Sequence, residues 1–129
     1  MFSIIVETGF RATHHVRFAD GATEAPHAHD WRIRVTVRRA TLDEVGMVSD
    51  FDHVRSLLSQ AVRSFENADL NVDPALSGRN PTAEVVAKAI FDSLMRLRLT
   101  GIHRVEVTEA PGCVAVFDAD ASAPLADAF

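Results

Sequence analysis

From His27 to Arg38 the chain alternates, with His27, His29, Trp31, Ile33, Val35 and Val37 at odd positions and Arg32, Arg34, Thr36 and Arg38 at even ones. A period of two marks a strand, because successive side chains leave a strand on opposite sides. One side of a sheet is therefore apolar, the other carries arginine, and two histidines stand at the start of the apolar side. Two imidazoles two residues apart on one face have a chelating geometry. Neutral imidazole nitrogens bind Zn²⁺ at about 2.0–2.1 Å, and a catalytic zinc centre has three protein ligands and one open position. The pair thus asks for a third ligand.

Residues 2–14 show the same period, with Phe2, Ile4, Val6, Thr8, Phe10 and Ala12 on one face and Ser3, Glu7 and Arg11 on the other. Gly9 within this strand marks a bulge or a close approach. The connection 15–26 contains the turn signal Asp20-Gly21 but is too long for a tight hairpin, and is expected to be an ordered functional loop. Antiparallel pairing about its middle sets His14 opposite His27, and opposed residues share a face. His14, His27 and His29 are the expected metal ligands on this count. A slip of one residue would put His15 in the place of His14.

The remainder reads as two helices and a second hairpin. Ser49 with Asp52 resembles a capping box ahead of Phe51, Val54, Leu57, Leu58, Ala61, Val62 and Phe65 at helical spacing, to about Phe65. After a long connection over residues 66–80, Asn80-Pro81-Thr82-Ala83-Glu84 opens a helix that runs to about Leu99, with Asn or Thr as its cap. Strands from Ile102 to Ala110 and from Cys113 to Phe117 turn at Pro111-Gly112. The order ββααββ predicts an α+β fold: a four-stranded antiparallel sheet with both helices on one face, as one domain over residues 1–129 with a loosely ordered tail from 118 to 129.

Glu109 shares parity with Val105 and Val107, so a carboxylate falls on the apolar face at a strand end. A solvated strand end accounts for such a residue. In a pocket, the same carboxylate accepts two parallel hydrogen bonds from an amidine-like edge of the kind pterins and guanines present. Cys113 reads as a small core residue, His53 and His103 as surface or capping residues, and the arginine face as solvated or as a subunit contact. Thirteen basic against eighteen acidic residues, a formal charge of −5 and no basic run give nucleic acid no electrostatic footprint. A single cysteine, no signal-peptide pattern and no apolar run near the ~20 residues of a membrane span lead to the expectation of a cytoplasmic protein.

These motifs together resemble the 6-pyruvoyltetrahydropterin synthase and 6-carboxytetrahydropterin synthase family. Phe10-Arg11-Ala12-Thr13-His14 is similar to its Phe-x-Ala-Ala-His and His27-Ala28-His29 to its His-Gly-His. Gly46-Met47-Val48-Ser49-Asp50-Phe51, Asp69-Leu70-Asn71, Asn80-Pro81-Thr82-Ala83-Glu84 and Thr108-Glu109 follow in the family's order. The resemblance covers roughly residues 2–117. It implies the tunnelling fold, a hexamer built as a dimer of trimers with sites at subunit interfaces, and zinc on His14, His27 and His29. It also implies a pterin-like ligand bound by Glu109, with Thr82 and Glu84 as further ligand-binding positions.

The family's proton relay is absent. Thr23 stands where the family carries a catalytic cysteine, and Glu66-Asn67 where it carries Asp-His. A threonine hydroxyl is a poor acid or base near neutrality, and an asparagine does not titrate. Two readings follow: a pterin-binding homologue without the usual synthase reaction, or a divergent zinc-dependent carbon–oxygen or carbon–carbon lyase with Glu24 or Glu66 as replacement acid or base.

Overall fold

In the computed structural model, which describes residues 1–119, strands β1 (Phe2–His14) and β2 (His27–Arg39) pair antiparallel in unbroken register, from Phe2 opposite Arg39 to His14 opposite His27. The alternation of both strands is what holds this register, since a one-residue slip would turn every apolar side chain of one strand to solvent. Val6, Phe10 and Ala12 of β1 and Trp31, Ile33, Val35 and Val37 of β2 are buried together. Phe10 and Trp31, directly opposed, stack with ring centroids 6.0 Å apart, and the Trp31 indole N–H donates to the Ala12 carbonyl at 3.2 Å. Phe2 lies outside this core and is exposed.

The sheet departs from the expected four antiparallel strands. Its order is β3-β1-β2-β4-β5, with β4 (Ile102–Ala110) and β5 (Cys113–Asp118) antiparallel as expected and β3 (Ala68–Asp69) added parallel to β1. Chain leaving the first helix is drawn along the free edge of β1: the Arg11 carbonyl accepts from the Asn67 N–H at 2.7 Å, and the Glu66 carboxylate accepts from the Arg11 N–H at 3.3 Å. Asn67 makes the turn at φ +56°, a left-handed conformation that asparagine enters more readily than most residues. A two-residue strand has no periodicity to read, so only edge pairing reveals it.

Helices α1 (Phe51–Val62) and α2 (Ala83–Arg96) cover the apolar face through Val54, Leu58 and Ala61 and through Val86, Ile90 and Leu94. Asp50, not the Ser49–Asp52 pair, caps α1, its carboxylate accepting from the Asp52 N–H at 2.8 Å. Thr82 caps α2, accepting from the Val85 N–H at 3.2 Å. Both helices end before their apolar stripes do. Residues 63–65 tighten into a 3₁₀ turn after α1, and Leu97 already lies beyond α2. The connection 15–26 folds back on itself, with Arg17 bridging Thr23 and a tight turn closed by the Gly21 N–H on the Phe18 carbonyl at 2.9 Å. The first residue of the expected tail, Asp118, is the last residue of β5, where Arg104 Nε meets Asp118 Oδ1 at 2.7 Å, and residues 120–129 lie outside the described residues. No helix among the described residues is long and apolar enough to cross a membrane.

Gly9 is a site of close approach rather than a bulge, since a Cβ there would lie 2.9 Å from the Trp31 carbonyl oxygen within unbroken register. Gly101 is more constrained: φ is +83°, and a Cβ would lie 2.6 Å from the Arg38 carbonyl oxygen. Gly112 has the same φ with nothing within 4 Å. Gly112→Ala should therefore cost about 1–2 kcal/mol, the left-handed penalty alone. Gly101→Ala should cost clearly more, because backbone must also move, and urea unfolding of the two variants measures the difference. Equal losses would show that β2 yields freely at Arg38.

Candidate metal centre

Three strand ends build the site. His14 is the last residue of β1 and His27 the first of β2, directly opposed, and His29 lies two residues further on the same face. On the other side of β2, Glu109 follows Val105 and Val107 on the apolar face of β4, where the pairing with β5 breaks step between Thr108 and Ala110. Such breaks in step recur beside active sites because they re-aim a side chain.

Backbone carbonyls fix two of the imidazoles. His14, only 1% exposed, has Nδ1 2.8 Å from the Pro81 carbonyl, and His27 has Nδ1 2.9 Å from the Ala25 carbonyl. A carbonyl only accepts, so in each ring Nδ1 carries the hydrogen and the neutral imidazole presents Nε2 as a bare lone pair. One ring nitrogen from each of His14, His27 and His29 lies within 4.8 Å of the other two, so the described residues include a three-histidine cluster able to coordinate a metal ion. Nε2 of His14 and Nε2 of His29 are buried without a hydrogen-bond partner. Buried polar atoms left unpaired are rare and costly, and a bound cation would satisfy both. The donor set fits a zinc ion: three imidazoles, two of them with the outer nitrogen held by a backbone carbonyl.

Two carboxylates flank the rings. Glu109, with 29% of its side chain exposed, places Oε1 3.6 Å from His14 Nε2 and Oε2 3.7 Å from His29 Nε2. Glu24 Oε1 accepts from the Val16 N–H at 2.9 Å and lies 3.8 Å from His27 Nε2. Burial lowers the pKa of His29; Glu109 opposes this, and the neighbouring His27 and His14 add to it. The net effect favours the neutral, ligating form of His29.

His15 is directed elsewhere by Asn71, whose Oδ1 accepts from the His15 N–H at 2.9 Å and whose Nδ2 lies 3.2 Å from the His15 ring nitrogen Nε2. Ala28 stands in extended backbone opposite Thr13, a position that accepts a Cβ without strain. Glu24 is brought to the histidines and Glu66 is not: the Glu66 carboxylate is exposed, and its hydrogen bond goes to the Arg11 backbone. Thr23 and Asn67 are exposed, the one in the small fold-back beside Arg17 and the other at the β3 edge.

A cavity of about 410 Å³ opens beside Glu109, between the start of α2 and the β4–β5 turn, lined by Ala83, Glu84, Glu109, Cys113, Val114 and Ala115. Glu84 faces this space, while the Thr82 oxygen is engaged by the helix cap. Cys113 is exposed here rather than packed in the core, because β5 is the outer strand and its first residue lies past the helix cover. The carbonyls of Pro81 and Ala25 that orient the rings carry no sequence signal, since any residue supplies a carbonyl.

The model of the family described as 6-pyruvoyl tetrahydropterin synthase matches residues 3–120. The 6-carboxy-5,6,7,8-tetrahydropterin synthase of Synechocystis sp. is 33% identical over 114 residues, 84% of this chain and 87% of that protein. Among solved structures, the Caenorhabditis elegans 6-pyruvoyl tetrahydropterin synthase superposes with a TM-score of 0.81 at 18% identity, covering 92% of this chain and 96% of that one. A Plasmodium vivax 6-pyruvoyltetrahydropterin synthase, solved with a catalytic glutamate replaced by alanine, gives 0.69 at 13% identity over 90% and 96% of the two chains. At these identities the solved structures establish the shared fold.

Proposed function

The chain belongs to the 6-pyruvoyl tetrahydropterin synthase family, and from that premise we propose that it binds a pterin-like ligand beside a zinc ion on His14, His27 and His29, without the family's usual synthase reaction. The observation that carries this reading is the pair of buried, unpartnered Nε2 atoms of His14 and His29 facing the Glu109 carboxylate at the mouth of a cavity. Zinc bound there would polarise a hydroxyl or carbonyl on the ligand's side chain. Glu109 accepts two parallel hydrogen bonds from the amidine-like edge of the ring, Glu84 lines the same space, and Thr82 fixes the start of α2 that closes one side of it. The sites lie at interfaces of a cytoplasmic hexamer, a dimer of trimers.

Loss of the usual reaction follows from the residues at the relay positions. General acid–base help is typically worth about 10²–10⁴-fold, and neither the Thr23 hydroxyl nor the Asn67 amide supplies it. A second reading is favoured by one contact: Glu24, 3.8 Å from His27 Nε2, moves the proton in a carbon–oxygen or carbon–carbon lyase reaction. The P. vivax relative offers a precedent for a catalytic glutamate. Glu66 is the weaker candidate for this role on its exposed position.

Thermal unfolding with a panel of pterins, with and without Zn²⁺, tests ligand binding, because a ligand that binds only the folded state raises apparent stability. At least one oxidised or reduced pterin is expected to raise Tm, and Glu109→Ala to abolish the rise. Absence of any shift across the panel would sink the reading.

A further inference from the structure

We propose that Glu109 is a protein ligand of the metal in the ligand-free state, closing a three-histidine, one-carboxylate centre that the pterin has to open. The inference rests on the zinc reading above and goes beyond it, because there Glu109 served the organic ligand alone.

Three observations converge on it. The first is spacing. Atoms bound to one tetrahedral zinc at about 2.0–2.1 Å lie roughly 3.3–3.4 Å from one another. The two Glu109 oxygens stand 3.6 and 3.7 Å from the Nε2 atoms of His14 and His29, close to that edge length and too far for a hydrogen bond. A carboxylate meeting a protonated imidazole nitrogen would draw in to about 2.7–2.9 Å.

The second is the state of the nitrogens. His14 gives its Nδ1 hydrogen to the Pro81 carbonyl, so its Nε2 lone pair faces an anionic oxygen across a buried gap. Two electron-rich groups held face to face repel unless a cation lies between them, and His29 Nε2, also buried without a partner, lies 3.7 Å from the other carboxylate oxygen. The third is availability. Among the described residues the Glu109 carboxylate forms no hydrogen bond, whereas the Glu24 oxygen nearest the rings is already engaged by the Val16 N–H. The broken step in β4 between Thr108 and Ala110 sets Glu109 where its side chain both faces the imidazoles and lines the cavity.

One carboxylate then has two uses. In the free protein it completes the metal's coordination; when a ligand arrives, an oxygen of the ligand's side chain takes the fourth position and releases the carboxylate toward the cavity it lines. The metal stays closed to water until the ligand is in place.

Co²⁺ loaded into the full chain supplies the test, since four-coordinate Co²⁺ absorbs visible light far more strongly than five- or six-coordinate Co²⁺. Wild type should show intense four-coordinate bands, and Glu109→Gln, with water or the amide in place of the carboxylate, should show bands of clearly shifted position and intensity. In competition with a chelator, Glu109→Gln should hold Zn²⁺ at least tenfold more weakly. Glu109→Asp, which keeps the charge but withdraws the oxygens by one methylene, should also change the spectrum, separating ligation from a general effect of charge. Glu106→Gln, the same charge removed from the same strand, should behave as wild type. If Glu109→Gln keeps both the wild-type spectrum and the wild-type affinity, Glu109 is not a ligand and the metal reading stands without it. If wild type takes up neither Zn²⁺ nor Co²⁺, the metal reading itself has failed.

Discussion

Zinc at a thousandfold excess over its Kd is expected to stabilise the protein by about 4 kcal/mol, and His29→Ala to remove that stabilisation. The donors of His14, His27 and His29 come from residues 14 and 27–29, far apart in an unfolded chain, so a metal that needs all three binds the folded state alone. His29 is the informative residue because it is partly exposed, whereas His14 is packed against Trp31 with ring centroids 4.9 Å apart and its loss would also damage the core. Calorimetric melts of wild type and His29→Ala, each with EDTA and with Zn²⁺, measure the effect. Zinc stabilising the two proteins equally would remove His29 from the ligand set.

Acid should erase the same stabilisation. Metal requires neutral imidazoles, so protons compete with it as pH falls. The metal-free protein should move in the same direction. His29 has a pKa below its usual value of about 6.5, chiefly through burial. The unfolded chain therefore binds the proton more readily than the folded one. Its contribution to stability is present above about pH 6.5 and is lost as pH falls through that value toward the lower folded-state pKa. Melts of the EDTA-treated protein from pH 8 to pH 5 check the sign.

The second large effect concerns turnover. If the protein processes dihydroneopterin triphosphate or a related pterin, Glu24→Gln should lower kcat by about 10²–10⁴-fold, the usual worth of a general acid or base. Glu66→Gln should leave kcat near wild type, because the Glu66 carboxylate serves the Arg11 backbone rather than the histidines. Product analysis by mass spectrometry, with kcat and KM separated, distinguishes the two readings of function. No turnover by wild type supports the binding protein. Turnover that survives Glu24→Gln and collapses in Glu66→Gln would place the proton carrier on the β3 edge, within reach of a centre in another subunit.

Much of the site was legible because it depends on strand parity. Placing His27 and His29 on one face, His14 opposite His27, and Glu109 beyond Val107 needs only the period of two and an antiparallel pairing, and the register bears out that placement. The details that failed had no period to follow. The edge strand Ala68–Asp69 is two residues long, the α1 cap passed from Ser49 to Asp50, and Cys113 alternates like a core residue but lies past the cover of α2. His14 rather than His15 joins the cluster, as parity predicts, and Asn71, from a segment more than fifty residues distant, holds His15 away.

The sequence by itself determined the two paired strands, the two helices, the family and which three histidines come together, because all of these follow from local periodicity and motif order along one chain. The tertiary structure alone decided which nitrogen of His14 and of His27 is free, which of Glu24 and Glu66 stands near the three histidines, and that both oxygens of Glu109 face unpartnered imidazoles. The reason is physical. Hydrogen bonds donated to the Pro81 and Ala25 carbonyls and separations of 3.6–3.8 Å depend on where the backbone comes to rest, and residue identity does not encode them.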